Sequence, residues 1–304
     1  MTVHATPGKA PATGDEPSAR PDRGPGRGRT LRRTLRSPSA VVAAVFVALL
    51  TLVAILSPII TPHDPARQDL MLLLRPPSAE HWLGTDSLGR DNLSRLIEGT
   101  RVTLLAAVQA IALAVALGFP AGLLAGFVGR LVDTVLTWVC DVLLSLPSLI
   151  LALAIVGILG PGLTNAMIAV GVTLAPRFFR VARAAAYSVR NETYVEATVA
   201  LGFSTPRILF RHVLPNASGP LLVQTTFALG LVVTAEASLS FLGLGARPPT
   251  ASWGSMLRDS FDNIYGSAFP LVAPSLMVVL TILAFSVLGD SLRDALGRQS
   301  RVGA

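Results

Sequence analysis

The chain has 304 residues, of which 51% are hydrophobic and only 14% are charged. Soluble domains carry about 25% charged residues, so this composition excludes an ordinary water-soluble protein and indicates one that spans a bilayer. The net charge of +7 is no sign of nucleic-acid binding, because the basic residues lie in a tail and in loops between apolar runs. The single cysteine, Cys140, excludes an internal disulfide and a multi-cysteine metal site.

The first 39 residues are rich in Pro, Gly, Ser and Arg and hold few large apolar side chains. Such a segment cannot bury enough surface to order itself, so we predict a disordered basic cytoplasmic tail over 1–39. The apolar run Ala40–Ile60 follows, and it is about as long as a bilayer-spanning helix. The pair Arg32-Arg33 would fit a twin-arginine export signal, but the run ends without an Ala-x-Ala cleavage site. We therefore predict an uncleaved first transmembrane helix at 40–60.

Five further apolar runs predict five more spanning helices, because lipid leaves backbone N–H and C=O groups no other partner. These runs are Val102–Val128, Val132–Leu159, Leu163–Ala186, Asn216–Leu242 and Phe269–Leu292. Together they form a predicted core at 102–292, followed by a tail at 293–304. The sequence thus predicts an all-α membrane protein with six transmembrane helices.

The distribution of basic residues predicts the orientation of the helices. With the N-terminus inside, 18 of the 25 basic residues lie in cytoplasmic segments and seven lie outside. Both termini are therefore predicted to be cytoplasmic. The loop at 61–101 is then extracytoplasmic, and the polar loop at 187–212 is cytoplasmic.

The cytoplasmic loop 187–212 has the pattern of two short helices with a break between them. Gly202 can take the left-handed conformation that ends a helix, Ser204 or Thr205 can cap the next one, and Pro206 suits its first turn. We predict a helical hairpin that projects into the cytoplasm. The side chains that it offers to a partner are Tyr194, Glu196, Leu201 and Phe203. The alternative is an amphipathic helix lying on the membrane surface.

This loop resembles the EAA loop of binding-protein-dependent import permeases, where Glu-Ala-Ala is followed by Gly and later by Leu-Pro. The spacing from Glu196 to Gly202 and on to Leu214-Pro215 fits that pattern, with Thr198 in place of the second Ala. In the family this loop is the coupling helix that docks into a groove on a cytoplasmic ATPase. The resemblance thus implies a set of ATPase-coupling residues: Tyr194, Glu196, Ala197, Leu201, Gly202 and Phe203.

Two more segments resemble the dipeptide, oligopeptide and nickel permeases of that family. The segment 84–91 is similar to their GTDxLGRD block, and the residues that match it are Gly84, Thr85, Asp86, Gly89, Arg90 and Asp91. The segment Glu236–Gly245, with the Pro248-Pro249 pair after it, is similar to the late part of their C-type subunit. The matches together run from about residue 78 to 296.

Read from the residues alone, the Gly-Thr-Asp block is either a structural loop or a ligand site. Asp86 and Asp91 can cap or turn the chain, and Arg90 and Arg95 can pair with them. Such a loop could also seal the outer mouth of a path or touch a delivering protein.

Two acidic residues lie inside predicted spans, where a charge is costly unless it is paired or hydrated. Asp141 either makes a polar contact with a neighbouring helix or faces a path. Glu236 either lines a path or stabilises the end of its helix. The candidate residues of a translocation path are Asp141, Glu236, Ser238 and Ser240. Asp133 and Asp290 are expected near the cytoplasmic membrane surface.

Some sites are excluded by what the sequence lacks. There is no Gly-x-x-x-x-Gly-Lys-Ser/Thr run, so we expect no P-loop ATP site in this chain. The four histidines form no His-x-x-x-His pair, so no metal site is expected. No nucleophile and base are arranged for catalysis. We therefore expect a non-catalytic subunit without a cofactor of its own.

The resemblance implies a type I ABC importer permease fold, of the MetI-like kind, in a prokaryotic inner membrane. It implies a second homologous permease subunit, two ATPase subunits that bind ATP and Mg, and an extracytoplasmic solute-binding protein, with no nucleic acid. The implied substrates are di- or oligopeptides, with nickel or another small solute as the alternative. A stand-alone secondary transporter or channel is the rival class, but it would need ion relays, and only Asp141 and Glu236 are candidates.

Overall fold

The computed structural model describes residues 37–300, and the side chains of all of these except 196, 199 and 297–300. Most of the predicted N-terminal tail, 1–36, and residues 301–304 of the C-terminal tail lie outside the described residues. Within the described part, the only strand-like pairing is one isolated bridge between Thr85 and Asp91. The predicted all-α fold is confirmed.

The described part of the chain contains ten α-helices joined by loops. In chain order they are α1 (Pro38–Ile60), α2 (Asn92–Val128), α3 (Arg130–Ser145), α4 (Ser148–Leu159), α5 (Leu163–Arg190), α6 (Thr193–Ala200), α7 (Thr205–Ile208), α8 (Leu214–Phe241), α9 (Trp253–Asp262) and α10 (Phe269–Ser300). A π-helical turn, Leu209–Val213, joins α7 to α8 without a break.

Four stretches of the described residues are long and apolar enough to cross a bilayer. They are α1, α2, the continuous stretch Thr205–Phe241, and Phe269–Leu296 within α10. A fifth span results if α3 and α4 are counted together, although they are bent by 94° relative to each other. The prediction of one continuous helix over Val132–Leu159 is therefore wrong. Pro147 lies at the break, where it disfavours the helical conformation of the residue before it, and Leu146 is extended there.

The remaining predicted span, Leu163–Ala186, is present as α5 but is not among these five. Its second half carries Arg177, Arg180 and Arg183, which lower its apolar character. The helix nevertheless lies within the bundle, and its Phe178 is fully buried in an apolar cluster that includes side chains of α2 and α8.

Helices α2 and α5 approach each other closely along a stripe of glycines. Gly118, Gly122 and Gly126 are spaced four residues apart, so they share one face of α2. A Cβ atom at any of the three would overlap a backbone carbonyl oxygen of α5. Small residues permit such close packing in membranes, where van der Waals contact drives helix association.

Candidate functional site

The segment between α5 and α8 forms a structure that we call the short-helix hairpin, residues 191–213. Its two helices, α6 and α7, are separated by a turn in which Gly202 has a φ of +79°. Ser204 occupies the N-cap position of α7, and Pro206 lies in its first turn. The predicted first helix and glycine stop are confirmed. The second helix begins where it was predicted, but it is not a separate short helix, because it continues through the π-helical turn into α8 as one stretch, Thr205–Phe241.

One side of the hairpin is buried in the bundle. Val195, Ile208 and Val213 are at most 2% exposed and pack into an apolar cluster with side chains of α2, α5 and α8. The Tyr194 ring also lies 5.7 Å from the ring of His212. These contacts hold α6 and α7 against the ends of the long helices.

The other side of the hairpin exposes apolar and aromatic side chains. Tyr194 is 45% exposed, Leu201 76% and Phe203 43%. Ala197 is exposed as well. The backbone of Glu196 lies in α6, and its side chain is not among those that the structure describes. These exposed side chains include ones that the sequence predicted for contact with a partner, and that contact stays a prediction.

A pocket of about 280 Å³ opens beside this surface. The residues that line it are Thr198, Phe203, Arg207, Ile208, Arg211 and His212. The Arg207 guanidinium lies 5.6 Å from the centre of the Phe203 ring. The surface therefore combines apolar side chains with basic ones, while the coupling role of its residues stays a prediction.

The Gly-Thr-Asp block folds into a turn that is closed by buried charges. Arg90 Nε donates to Asp86 Oδ2 at 2.7 Å, and Arg95 Nε lies 3.3 Å from the same oxygen. Asp259 of α9 accepts hydrogen bonds from both guanidiniums, each at 3.1 Å. We call Asp86, Arg90, Arg95 and Asp259 the Arg–Asp cluster. The predicted pairing of Arg90 and Arg95 with an acid of the block is confirmed.

The cluster connects the loop between α1 and α2, and the start of α2, to α9, which lies more than 160 residues further along the chain. Asp86, Arg90 and Arg95 are almost fully buried, and Asp259 is 32% exposed. Burial raises the pKa of the Asp259 carboxyl, and the charges of Arg95 and Arg90 oppose this rise. Nothing in the sequence around Asp259 indicated its part in the cluster.

The other residues of the block shape the turn. Gly84 and Gly89 have φ values of +65° and +69°. The Thr85 hydroxyl accepts a hydrogen bond from the backbone N–H of Arg75 at 2.9 Å. Asp91 is the N-cap of α2 and accepts from the backbone N–H of Ser94 at 2.7 Å. The block therefore has the geometry of an ordered structural loop, and a ligand-binding role for it stays a prediction.

Replacing Asp259 with asparagine is expected to lower the free energy of unfolding by about 1–3 kcal/mol. The change removes the negative charge that two buried guanidiniums share, and charge-assisted hydrogen bonds are worth about 1.5–3 kcal/mol. Thermal unfolding of the purified chain in detergent measures the shift. The matched control is Asp262→Asn in the same helix, whose pair with Arg258 is 3.7 Å long and largely exposed. Such a pair contributes about 0–1 kcal/mol, so equal shifts for the two variants would contradict a structural role for the cluster.

Two of the candidate path residues are enclosed within the bundle. Glu236 of α8 is fully buried, and its carboxylate accepts hydrogen bonds from Ser240 Oγ at 2.7 Å and from Thr103 Oγ1 of α2 at 3.4 Å. These bonds satisfy the carboxylate and connect α8 with α2. In the described conformation Glu236 and Ser240 line no open surface of this chain, and a path role for them stays a prediction.

The other two candidates are accessible. Asp141 of α3 is 55% exposed and accepts a hydrogen bond from Arg180 of α5 at 2.8 Å, so the predicted polar contact with a neighbouring helix is confirmed. About two helical turns earlier in α3, Asp133 pairs in the same way with Arg183. Ser238 donates to a backbone carbonyl of its own helix. A path role for Asp141 and Ser238 likewise stays a prediction.

One group in the described part of the chain has ligand atoms close enough together to hold a metal ion. It consists of His63, His81 and Asp91, whose ligand atoms lie within 4.8 Å of one another. The residues are 18 and 10 positions apart in the sequence, a spacing that matches no metal-binding motif. For that reason the sequence predicted no metal site here.

Comparison with known proteins identifies the family. The family model described as the binding-protein-dependent transport system inner membrane component matches residues 118–302, which include the short-helix hairpin. The model described as the N-terminal TM domain of oligopeptide transport permease C matches residues 27–77.

Curated relatives cover most of the chain. It is 43% identical over 246 residues to the di/tripeptide transport system permease protein DppC of Pseudomonas aeruginosa. The aligned region covers 79% of this chain and 81% of that protein. It is 40% identical to the dipeptide transport system permease protein DppC of Alkalihalophilus pseudofirmus, with 79% of each covered. It is 41% identical to the glutathione transport system permease protein GsiD of Pectobacterium atrosepticum, with 72% and 73% covered.

A solved structure supports the fold. A chain of the MetNI methionine ABC transporter, solved in inward-facing conformations, superposes with a TM-score of 0.55 and 21% identity. The superposition covers 66% of this chain and 96% of that one. The predicted type I ABC importer permease fold is confirmed. Because one family model matches more than half of its length, the chain belongs to the family of inner membrane components of binding-protein-dependent transport systems.

Proposed function

We propose that this chain is a transmembrane subunit of an ATP-driven importer for di- or oligopeptides. It forms half of the translocation path and couples that path to a cytoplasmic ATPase. A second homologous permease subunit forms the other half, two ATPase subunits bind and hydrolyse ATP with Mg, and an extracytoplasmic solute-binding protein delivers the substrate. The chain itself is not catalytic and carries no ATP site.

The observation that carries this proposal is the two-sided character of the short-helix hairpin. Its buried side, with Val195 and Ile208, ties it to the long helices, and its other side exposes Leu201 and Phe203. A partner that moved the exposed side would therefore also move α5 and α8. Closure of two ATPase subunits on ATP would draw two such hairpins together and turn the path outward, and hydrolysis would reset it.

The peptide substrate is supported by the relatives, whose names specify dipeptides, di- and tripeptides, and glutathione. All three are peptides with free carboxylates. The Ser and Thr side chains near Glu236 supply polar groups within the bundle, but the choice of substrate rests with the delivering protein.

We place the chain in the prokaryotic inner membrane with both termini in the cytoplasm. Its parts are then the tail 1–39, the first helix 40–60, the extracytoplasmic loop 61–101, the core 102–292 with the coupling loop 187–212, and the tail 293–304. The excess of basic residues on one side supports this orientation.

Uptake by cells tests the transport function. A strain that lacks its own peptide importers and requires one amino acid is expected to grow on a dipeptide containing that amino acid when this chain and its partner subunits are expressed. Purified alone, the chain is expected to hydrolyse no ATP. Growth that did not depend on this chain would contradict the proposal, and uptake of nickel without uptake of peptides would favour the alternative substrate.

Labelling of single cysteines tests the orientation. In a Cys140→Ala background, Glu80→Cys in the first loop is expected to react with a membrane-impermeant thiol reagent in intact cells. Ser204→Cys in the hairpin is expected to react only after the membrane is opened. Both positions are exposed in the structure, so a difference in labelling reports the side of the membrane. The reverse pattern would contradict the proposed topology.

A further inference from the structure

Three side chains that can ligate a metal meet where the first loop joins α2. His63 lies three residues after the end of α1, Asp91 is the N-cap of α2, and His81 lies in the loop between them. His81 Nδ1 is 3.0 Å from Asp91 Oδ1, and His63 Nδ1 is 3.8 Å from Asp91 Oδ2. The two imidazole rings are 4.9 Å apart. The three groups thus surround one point.

The hydrogen bonding of the His63 imidazole indicates that a bound group is missing at that point. Its Nδ1 atom is buried and has no hydrogen-bond partner among the residues that the structure describes. The 3.8 Å that separates it from the Asp91 carboxylate is too long for a hydrogen bond. Buried polar atoms are nearly always paired, so an unpaired one that points at two other ligands calls for a bound group.

One oxygen of the Asp91 carboxylate is available to bind that group. Its Oδ2 accepts hydrogen bonds from the backbone N–H and the hydroxyl of Ser94, at 2.7 and 2.6 Å. Its Oδ1 faces only His81 Nδ1. A metal ion can therefore replace the proton between His81 and Asp91 without disturbing the cap of α2.

We propose that His63, His81 and Asp91 bind a divalent transition-metal ion of the Zn²⁺ type. Two imidazole nitrogens and one carboxylate oxygen are ligands that zinc accepts, and tetrahedral bonds of about 2.0–2.2 Å place neighbouring ligands about 3.4 Å apart. His81 Nδ1 and Asp91 Oδ1 are 3.0 Å apart, close to that value, and the ligand atoms of all three residues lie within 4.8 Å of one another. His63 is 37% exposed, so a fourth position is open to water.

Binding of the ion would join the end of α1 to the start of α2. The residues between His63 and Asp91 would then form a closed loop, and the Gly-Thr-Asp block lies within it. The ion would hold this loop in its described conformation next to the Arg–Asp cluster. This effect does not depend on the substrate or on the ATPase.

Zinc binding by the full-length chain tests the proposal. The protein is purified in detergent with a histidine-free affinity tag and a Cys140→Ala background, and Zn²⁺ is titrated against a chelating dye. We expect one bound Zn²⁺ per chain. His63→Gln is expected to weaken binding at least 100-fold, because loss of even an outer contact to a ligand costs about 10- to 100-fold.

Two further variants separate ligand loss from misfolding. Asp91→Asn keeps a good N-cap residue but loses the anionic ligand, so it is expected to weaken binding while the chain stays folded. His212→Gln, in the hairpin, is the matched control and is expected to leave binding unchanged. Zn²⁺ should also raise the unfolding temperature of the parent chain and of His212→Gln, but not that of His63→Gln. Absence of stoichiometric binding, or binding that survives both His63→Gln and Asp91→Asn, would overturn the proposal.

Discussion

Replacing Gly122 with leucine is expected to prevent the chain from folding into a stable bundle. A side chain at this position of α2 would overlap the carbonyl oxygen of Phe179 and would place its Cβ 2.8 Å from the Cβ of Ala182. Both neighbours belong to the backbone and the packed face of α5, so neither can turn away. Helices α2 and α5 would have to separate, and with them the core that surrounds Phe178. Overpacking by even a few methylenes costs about 1–3 kcal/mol, and a leucine against a backbone exceeds that.

Yield of monodisperse protein and thermal unfolding measure this effect. Gly122→Ala is expected to lower the unfolding temperature, and Gly122→Leu is expected to leave little folded protein. Gly157 is the matched control, because it also lies inside a helix but no atom approaches within 4 Å of a Cβ built there. Gly157→Ala and Gly157→Leu are expected to be tolerated. Similar losses at the two positions would show that the close approach of α2 and α5 is not required.

The glycine stripe shows what sequence can reveal about packing. Gly118, Gly122 and Gly126 repeat every four residues inside an apolar run, which is a pattern typical of closely packed membrane helices. That pattern predicts that α2 has a close neighbour. It does not say which helix is that neighbour, because several other helices also contain small residues that would permit a close approach. Gly171 of α5 is one of these residues.

The prolines show where local sequence fails. Pro120, Pro176, Pro220 and Pro274 all lie inside continuous helices, whereas Pro147 ends α3 and begins a bend of 94°. All of them remove one backbone donor and crowd the preceding turn. In a membrane bundle the outcome depends on whether neighbouring groups satisfy the freed backbone, and that is decided by packing rather than by the residues on either side.

The candidate sites also differ in how much of their structure the local sequence predicts. The short-helix hairpin could be predicted, because Gly202, Ser204 and Pro206 act locally on the backbone. The Arg–Asp cluster was predicted only in part, since Asp259 reaches it from another helix. Pairing over such a distance in sequence leaves no local pattern, and the same holds for the meeting of His63 with His81.

Reversing the charge of Glu196, or adding a β-branched side chain at Gly202, is expected to lower transport at least 10-fold while the chain still inserts into the membrane. Glu196 is the only acidic residue from Thr193 to Ala235, and it lies on α6. If a basic group of the ATPase meets it, Glu196→Arg replaces attraction with repulsion between like charges, which costs several kcal/mol at an interface.

The effect at Gly202 has a different cause. No atom lies within 4 Å of a Cβ built on Gly202, so a larger side chain would meet no clash. Its φ of +79° is the obstacle, because left-handed backbone costs a non-glycine residue about 1–2 kcal/mol and is an outlier for a β-branched one. Gly202→Val is therefore expected to change the angle between α6 and α7 and to move Leu201 and Phe203 out of register with a partner.

Controls at neighbouring positions separate docking from general damage. Gly202→Asn is the matched control for the backbone, since asparagine tolerates positive φ, and it is expected to keep most of the transport. Thr198→Ala removes one methyl group and a hydroxyl that bonds only to the carbonyl of Val195 in the same helix, and it is expected to be nearly neutral. Pull-down of the ATPase measures docking, uptake measures transport, and membrane abundance of the chain measures insertion. Normal ATPase binding and normal uptake in both Glu196→Arg and Gly202→Val would contradict the coupling role. Loss of uptake with docking intact would instead place these residues in the transmission of motion, because the hairpin would still be held by the ATPase but would no longer move α5 and α8 with it.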